Sequence, residues 1–199
     1  MEHAINHLRT ADPHLAPWIE QIGPYALQPQ PHGFVTLAYA IISQQISLAT
    51  ARAIRNRLET ALGELTPATI LAAEESTLRA AGLSAQKSAY LRDLAERIVS
   101  GRLELSRFPL LDDETIIRQL TAVKGVGRWT AEIYVMFALG RLDVLPAADL
   151  GLRDAARLVY ELPQLPTPRE LLALGERWRP YRSVACWYLW QTRRAIRQS

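Results

Sequence analysis

From Gly33 onward, apolar residues recur almost throughout at the spacing of a helix face. They alternate with polar ones for no more than three or four positions at a time, and no Asn-Gly or Asp-Gly pair offers a two-residue hairpin. Strands exposed on one side need period two, and tight hairpins need such turns, so the pattern predicts an all-α protein of roughly ten helices. "FVTLAYAIISQQISLATARAIRNRLETALG" reads as two helices, the first ending near Ile42 and the second near Leu62, with Gly63 as its stop. "TPATILAA" and "EESTLRAAG" read as short helices, each opened by Thr or a similar cap. "SAQKSAYLRDLAERIVSG" is longer, with Ser84 as its cap and Gly101 as its terminator, and "LDDETIIRQLTAV" follows. Before Gly33, the prolines Pro13, Pro17, Pro24, Pro29 and Pro31 leave a short helix around His14–Ile22 and then an extended connector.

The 199 residues suit one large domain or two small lobes, and an apolar content of 49% supplies a sizeable core. The net charge is only +3, but the pI is near 9.2, with Arg177, Arg179, Arg182, Arg193, Arg194 and Arg197 crowded toward the C-terminus. This balance permits a nucleic-acid partner without requiring one. A single cysteine, Cys186, excludes an internal disulfide and a cysteine-held zinc or iron–sulfur centre. His3, His7, His14 and His32 lie near the start, and His3 and His7 share a helical spacing, but they read as exposed polar residues; no metal site is expected. No window approaches 18 uninterrupted apolar residues and no signal-peptide pattern opens the chain, so no membrane association is expected. The expected location is the cytoplasm, with the nucleoid in a bacterium, or the nucleus in a cell that has one.

One stretch constrains function most. In "LTAVKGVGRWTAEIYVMFALG", Gly125-Val126-Gly127 separates two helical segments. Two glycines permit a sharp reversal, and Val126 can pin the turn by dropping into the core. The helix beginning near Arg128 presents free N–H groups and a positive dipole end, which suits an anion, and Lys124 and Arg128 add charge. Taken alone, the same residues also fit an ordinary helix–turn–helix corner. Beyond them, Asp149 in "LPAADLGLRDAAR" is well placed as a helix N-cap. A capping carboxylate is held ionised, so a cap and a catalytic anion are compatible roles.

This segment resembles the helix-hairpin-helix of DNA-repair glycosylases. The likeness extends to the loop "GRLDVLPAAD", to "DPHLAPWIEQIGPYALQPQPHGFVTLAYAIISQQIS" upstream and to "ERWRPYRSVACWYLWQ" downstream, from about Asp12 to Gln191. These motifs are similar to the 3-methyladenine DNA glycosylase II (AlkA-like) family of the HhH-GPD superfamily, in a compact form without an N-terminal β-rich domain. The resemblance implies two helical lobes with a DNA-binding cleft between them. One lobe is expected to hold residues 1–32 and 141–199, the other residues 33–140, with the hairpin at about 115–139. It implies a monomeric, monofunctional enzyme that flips alkylated purines out of double-stranded DNA and hydrolyses the N-glycosidic bond.

By motif position, the resemblance makes Asp149 the catalytic residue. An anion there would stabilise positive charge developing on the sugar and orient water. An alkylated base is already cationic and leaves neutral, which lessens the need for a general acid. Trp190 would face the extruded base through its π system, with Trp129, Ile133 and Trp187 completing the pocket. Ile133 stands where the family carries an aromatic residue. Trp129 stands where bifunctional relatives carry a Schiff-base lysine, so no lyase activity is expected. Gln45, with Gln44 beside it, maps to the residue that fills the gap in the duplex; by pattern alone both glutamines also suit a polar helix end. Lys124, Gly125, Val126, Gly127, Arg128 and Thr130 would grip the DNA backbone. No cofactor is required on this reading; a monovalent cation on the hairpin's backbone carbonyls is the one inorganic ligand considered. Two other readings stand beside it: a non-catalytic helix-hairpin-helix grip, which would not need Asp149, and a superfamily glycosylase for oxidised, deaminated or mismatched bases.

Overall fold

The computed structural model describes residues 1–27 and 30–198. Among these there is no strand. The α-helices in chain order are α1 (Glu2–Ala11), α2 (Ala16–Ile22), α3 (Phe34–Ser43), α4 (Leu48–Leu62), α5 (Pro67–Ala72), α6 (Glu75–Ala80), α7 (Ala85–Val99), α8 (Asp113–Thr121), α9 (Arg128–Phe137), α10 (Leu150–Val159), α11 (Pro168–Leu174) and α12 (Arg182–Gln198). Short 3-10 helices cover Leu105–Leu110 and Gly175–Trp178. The chain forms two compact units: Gln30–Leu139, and the two terminal segments Met1–Pro29 and Gly140–Ser199. The connector expected after α2 passes through Gln28 and Pro29, which lie outside the described residues.

The unit of residues 30–139 contains α3 to α9. Ser47, Thr66, Ser84 and Asp112 each accept a backbone N–H three residues on, starting α4, α5, α7 and α8. Thr66 forms a full capping box with Thr69. The expected side-chain cap of α6 is not made: Glu74 precedes that helix without a capping bond. Leu37, Ile41, Leu58, Ile70, Leu78, Leu91, Leu94, Ile116, Leu120 and Val135 are fully buried here. Each such side chain contributes about 1.5–3 kcal/mol of apolar burial, so this core defines where the hairpin sits.

The unit of both termini contains α1, α2 and α10 to α12. It buries Leu8, Leu15, Ile19, Leu152, Trp178, Tyr188 and Leu189. Asp12 is buried with them and fully engaged: it accepts from the Trp178 indole at 2.7 Å, the Tyr160 hydroxyl and the His14 and Leu15 amides. Burial, then the Asp12 contact, pushes the Tyr160 hydroxyl far above its usual range, so it stays a donor. Helix α1 is absent from the sequence reading. It buries only Ala4 and Leu8, too narrow a stripe to stand out as a period.

Candidate functional site

Asp149 starts α10. Its Oδ1 accepts the Leu152 N–H at 2.6 Å, the capping bond, and the Trp190 indole N–H from α12 at 3.2 Å. Gly151 lies directly under this carboxylate: a Cβ there would come within 3.1 Å of Oδ1. The capping amide and the indole together fix the orientation of this carboxylate. Asp149 is half-buried.

The loop leading to Asp149 is laced to the start of α12. The Arg182 guanidinium donates to Asp143 Oδ1 at 2.7 Å and to the Asp143 carbonyl at 2.6 Å, and Arg179 reaches Oδ2 at 2.7 Å. Ser183 Oγ accepts the Val144 N–H at 2.9 Å and donates to the Arg141 carbonyl at 2.7 Å. Thus α12 both supplies Trp190 and holds the segment that delivers Asp149. The sequence reading misses Asp143 and Ser183, and the partner of Arg182, because their pairing spans about 40 residues. Farther along, Arg193 and Arg197 both bind Asp154 Oδ2, at 2.7 and 2.6 Å, tying α10 to α12. Much of the C-terminal arginine charge is therefore committed within the protein rather than offered to a polyanion. Arg194 is exposed.

The hairpin lies between α8 and α9 in the other unit. Gly125 has φ +79°, and a Cβ on it would fall within 2.1 Å of the Tyr90 ring. Both the backbone and the close approach thus require glycine. Val126 is buried, 4% exposed, as the turn needs. Gly127 caps α9, and a Cβ on it would have nothing within 4 Å, which leaves the helix start open. The Lys124 side chain is exposed, and its N–H donates to Asp93 Oδ2 at 2.9 Å. Burial opposes the Asp93 charge, but the Lys124 amide and Arg97 outweigh it and hold the carboxyl below its usual range.

Two of the residues expected at the DNA backbone, Arg128 and Thr130, are engaged or enclosed within the hairpin itself. Arg128 forks onto Glu114 at 2.8 and 2.9 Å and bonds Glu132 at 2.9 Å. It braces α8 against α9, and its charge is largely answered within the hairpin. Glu132 is 7% exposed; burial raises its carboxyl above the usual range, and Arg128 opposes that rise. Thr130 is only 8% exposed, packed inward rather than displayed. Its place one turn into an amphipathic helix makes burial the natural outcome.

Gln44 and Gln45 form the turn between α3 and α4. Gln44 Nε2 donates to the Gly125 carbonyl at 2.8 Å, joining this turn to the hairpin. Gln45 is exposed, with φ +58°. A groove of about 400 Å³ runs beside them, lined also by Ile46, Thr50, Lys87 and Tyr90.

The four expected pocket residues divide between the units. Trp129, 45% exposed, and half-buried Ile133 stand one turn apart on α9. Trp190 and Trp187 are on α12. Trp187 is 9% exposed and meets Tyr25 and Tyr188 edge-on, each with ring centroids 4.9 Å away. Tyr25 is an aromatic the sequence reading passes over, because it lies in a proline-rich connector without periodicity. Burial pushes its hydroxyl up to about 12.

Among the described residues, no group of three or more His, Cys, Asp or Glu side chains could hold a metal, and no helix is long and apolar enough to cross a membrane. His7 is half-buried, edge-on to Tyr181, rather than exposed.

Known proteins share this fold. Residues 38–180 match the HhH-GPD superfamily base excision DNA repair protein family. The chain is 39% identical over 160 residues to DNA-3-methyladenine glycosylase 1 of Schizosaccharomyces pombe, covering 78% of this chain and 70% of that one. A crystal structure of DNA-3-methyladenine glycosidase from Bacillus halodurans superposes with a TM-score of 0.91 at 35% identity, covering 98% and 91% of the two chains. The Schizosaccharomyces pombe 3-methyladenine DNA glycosylase in complex with abasic DNA gives 0.84 at 34% identity, covering 95% of each. With the family matched over most of its length and relatives this similar, the chain belongs to the HhH-GPD superfamily of base excision DNA repair proteins.

Proposed function

We propose that this protein is a monofunctional DNA glycosylase that flips alkylated purines from double-stranded DNA and hydrolyses their N-glycosidic bond. The observation that carries this reading is the Asp149 carboxylate, oriented by the Leu152 amide and the Trp190 indole N–H. A non-catalytic DNA grip would need Asp149 only as the cap of α10, not as a carboxylate also held by the Trp190 indole. The names of its relatives, DNA-3-methyladenine glycosylases in yeast and Bacillus, support the same substrate class.

In the proposed reaction, the C1′–N bond of the cationic nucleotide breaks and its electron pair goes to the base, which leaves neutral. Positive charge develops on the sugar, where the Asp149 anion stabilises it. Water adds at C1′ and loses a proton, leaving an abasic sugar. The Trp190 π face is assigned to the cationic base, which it attracts more strongly than a neutral one. The open start of α9 at Gly127, its amides and Lys124 are assigned to the DNA phosphates. Gln45 is assigned to the gap left by the flipped base.

The test is an excision assay on oligonucleotides each carrying one lesion. Release of 3-methyladenine or 7-methylguanine is expected. Activity confined to oxidised or mismatched bases, or DNA binding without excision of any lesion, would overturn the assignment.

A further inference from the structure

Lys87, in the first turn of α7, aims its ammonium at the α3–α4 turn. Nζ donates to the Ile42 carbonyl at 2.6 Å and to the Gln44 carbonyl at 2.7 Å. These are carbonyls at the end of α3, where a cation satisfies acceptors left over by the helix. The next residue, Gln45, is the non-glycine held at φ +58°, a conformation that persists only where surroundings impose it. From the other side, the Gln44 side chain is anchored on the Gly125 carbonyl at 2.8 Å. Gly125 itself is packed against Tyr90, one turn along α7 from Lys87. One helix therefore supports the hairpin through Tyr90 and the glutamine turn through Lys87.

We infer that Lys87 is a positioning residue for base extrusion: it holds the Gln44–Gln45 turn in its left-handed form and, through Gln44 and Gly125, keeps Gln45 in register with the phosphate-gripping hairpin. This rests on the assignment of Gln45 to the duplex gap. Desolvation lowers the Lys87 ammonium below its usual range, in keeping with a cation turned onto the two carbonyls it supports.

The full chain is assayed in single turnover on two duplexes with the same alkylated base. In one the base is paired; in the other it sits in a single-base bulge, where less unstacking is needed. Lys87→Met should slow excision about tenfold on the paired duplex and less than about twofold on the bulge. Lys87→Arg keeps donors for both carbonyls and should restore the paired rate. Gln45→Gly should show the same bias as Lys87→Met. If Lys87→Met does not fold, Gln44→Leu, which cuts only the tether to Gly125, should carry the bias.

Equal slowing of Lys87→Met on both substrates, or no rescue by arginine, reduces Lys87 to a structural residue and overturns the proposal. Bias in Gln45→Gly without bias in folded Lys87→Met removes the Lys87 assignment alone. No bias in Gln45→Gly removes the gap-filling role and the proposal with it. A wild-type chain inactive on both substrates would instead sink the glycosylase reading on which all of this stands.

Discussion

The Trp190 indole N–H donates to the same Asp149 oxygen, Oδ1, that accepts the Leu152 amide. One helix start and one side chain from α12 therefore set the direction of a single carboxylate. Trp190 then has two assigned jobs, with its ring edge orienting the anion and its face receiving the base.

Trp190→Phe separates those jobs, since it keeps an aromatic face and removes the N–H. A hydrogen bond to a charged group is worth about 1.5–3 kcal/mol, so excision should fall about tenfold or more. Affinity for DNA should change little. Trp190→Ala, which also removes the face, should cost more and should narrow the preference for cationic over neutral bases. An unchanged single-turnover rate for the phenylalanine variant would mean that the N–H does not orient the working carboxylate.

Asp149→Asn tests the anion itself. Asparagine also caps helices, so thermal unfolding should stay within about 1 kcal/mol of wild type, and DNA binding should persist. Excision should fall by roughly a hundredfold or more, the scale of losing an electrostatic stabiliser at a reacting centre. Turnover near that of wild type would remove Asp149 from the mechanism.

The hairpin and Asp149 were legible in the sequence because each rests on local chemistry. A tight reversal requires glycine, as the φ of Gly125 bears out, and an aspartate before an amphipathic helix caps it. The pairings that complete the site were not legible. Arg128 finds Glu114 14 positions away, Ser183 finds Val144 39 away and Trp190 finds Asp149 41 away. Periodicity reports which face of a helix is buried, not which charged side chain on one element meets which on another. The pairing of Arg128 with Glu114 and Glu132, which braces α8 against α9, is one such meeting that the helical pattern does not report.

The two hairpin glycines should respond differently to substitution. Gly125→Ala places a Cβ in the Tyr90 ring and strains a left-handed backbone, so folding stability should drop by about 1–3 kcal/mol. Nothing lies within 4 Å of the Cβ position at Gly127. A bulky residue there should leave the unfolding midpoint almost unchanged and weaken binding to all DNA sequences alike. A change in lesion preference without loss of affinity would mean that the hairpin reads bases.

Lys124 and Arg128 should differ in their salt dependence. Each phosphate neutralised by a cation contributes about −0.9 to the slope of log K against log salt. Lys124→Ala should flatten that slope by about one such increment. Arg128→Ala should change it less, because its guanidinium already binds Glu114 and Glu132, and should instead lower stability by loosening α8 from α9. Equal flattening in both variants would show that the Glu114 fork opens when DNA binds.

The reaction type depends on whether an amine reaches C1′. A lyase forms an imine between a nucleophilic amine and the sugar, and a desolvated lysine is the usual donor. The first turn of α9 carries Trp129, whose indole nitrogen is not a nucleophile. Lys124 is the amine nearest in sequence; its backbone N–H is anchored on Asp93 and its side chain is exposed rather than enclosed. On the proposed mechanism water is the acceptor, and the expected product is an intact strand with an abasic site that breaks only on later alkali or heat. Borohydride added during turnover should trap no protein–DNA adduct. An adduct that formed with wild type and vanished in Lys124→Ala would identify that lysine as the nucleophile and make the enzyme bifunctional.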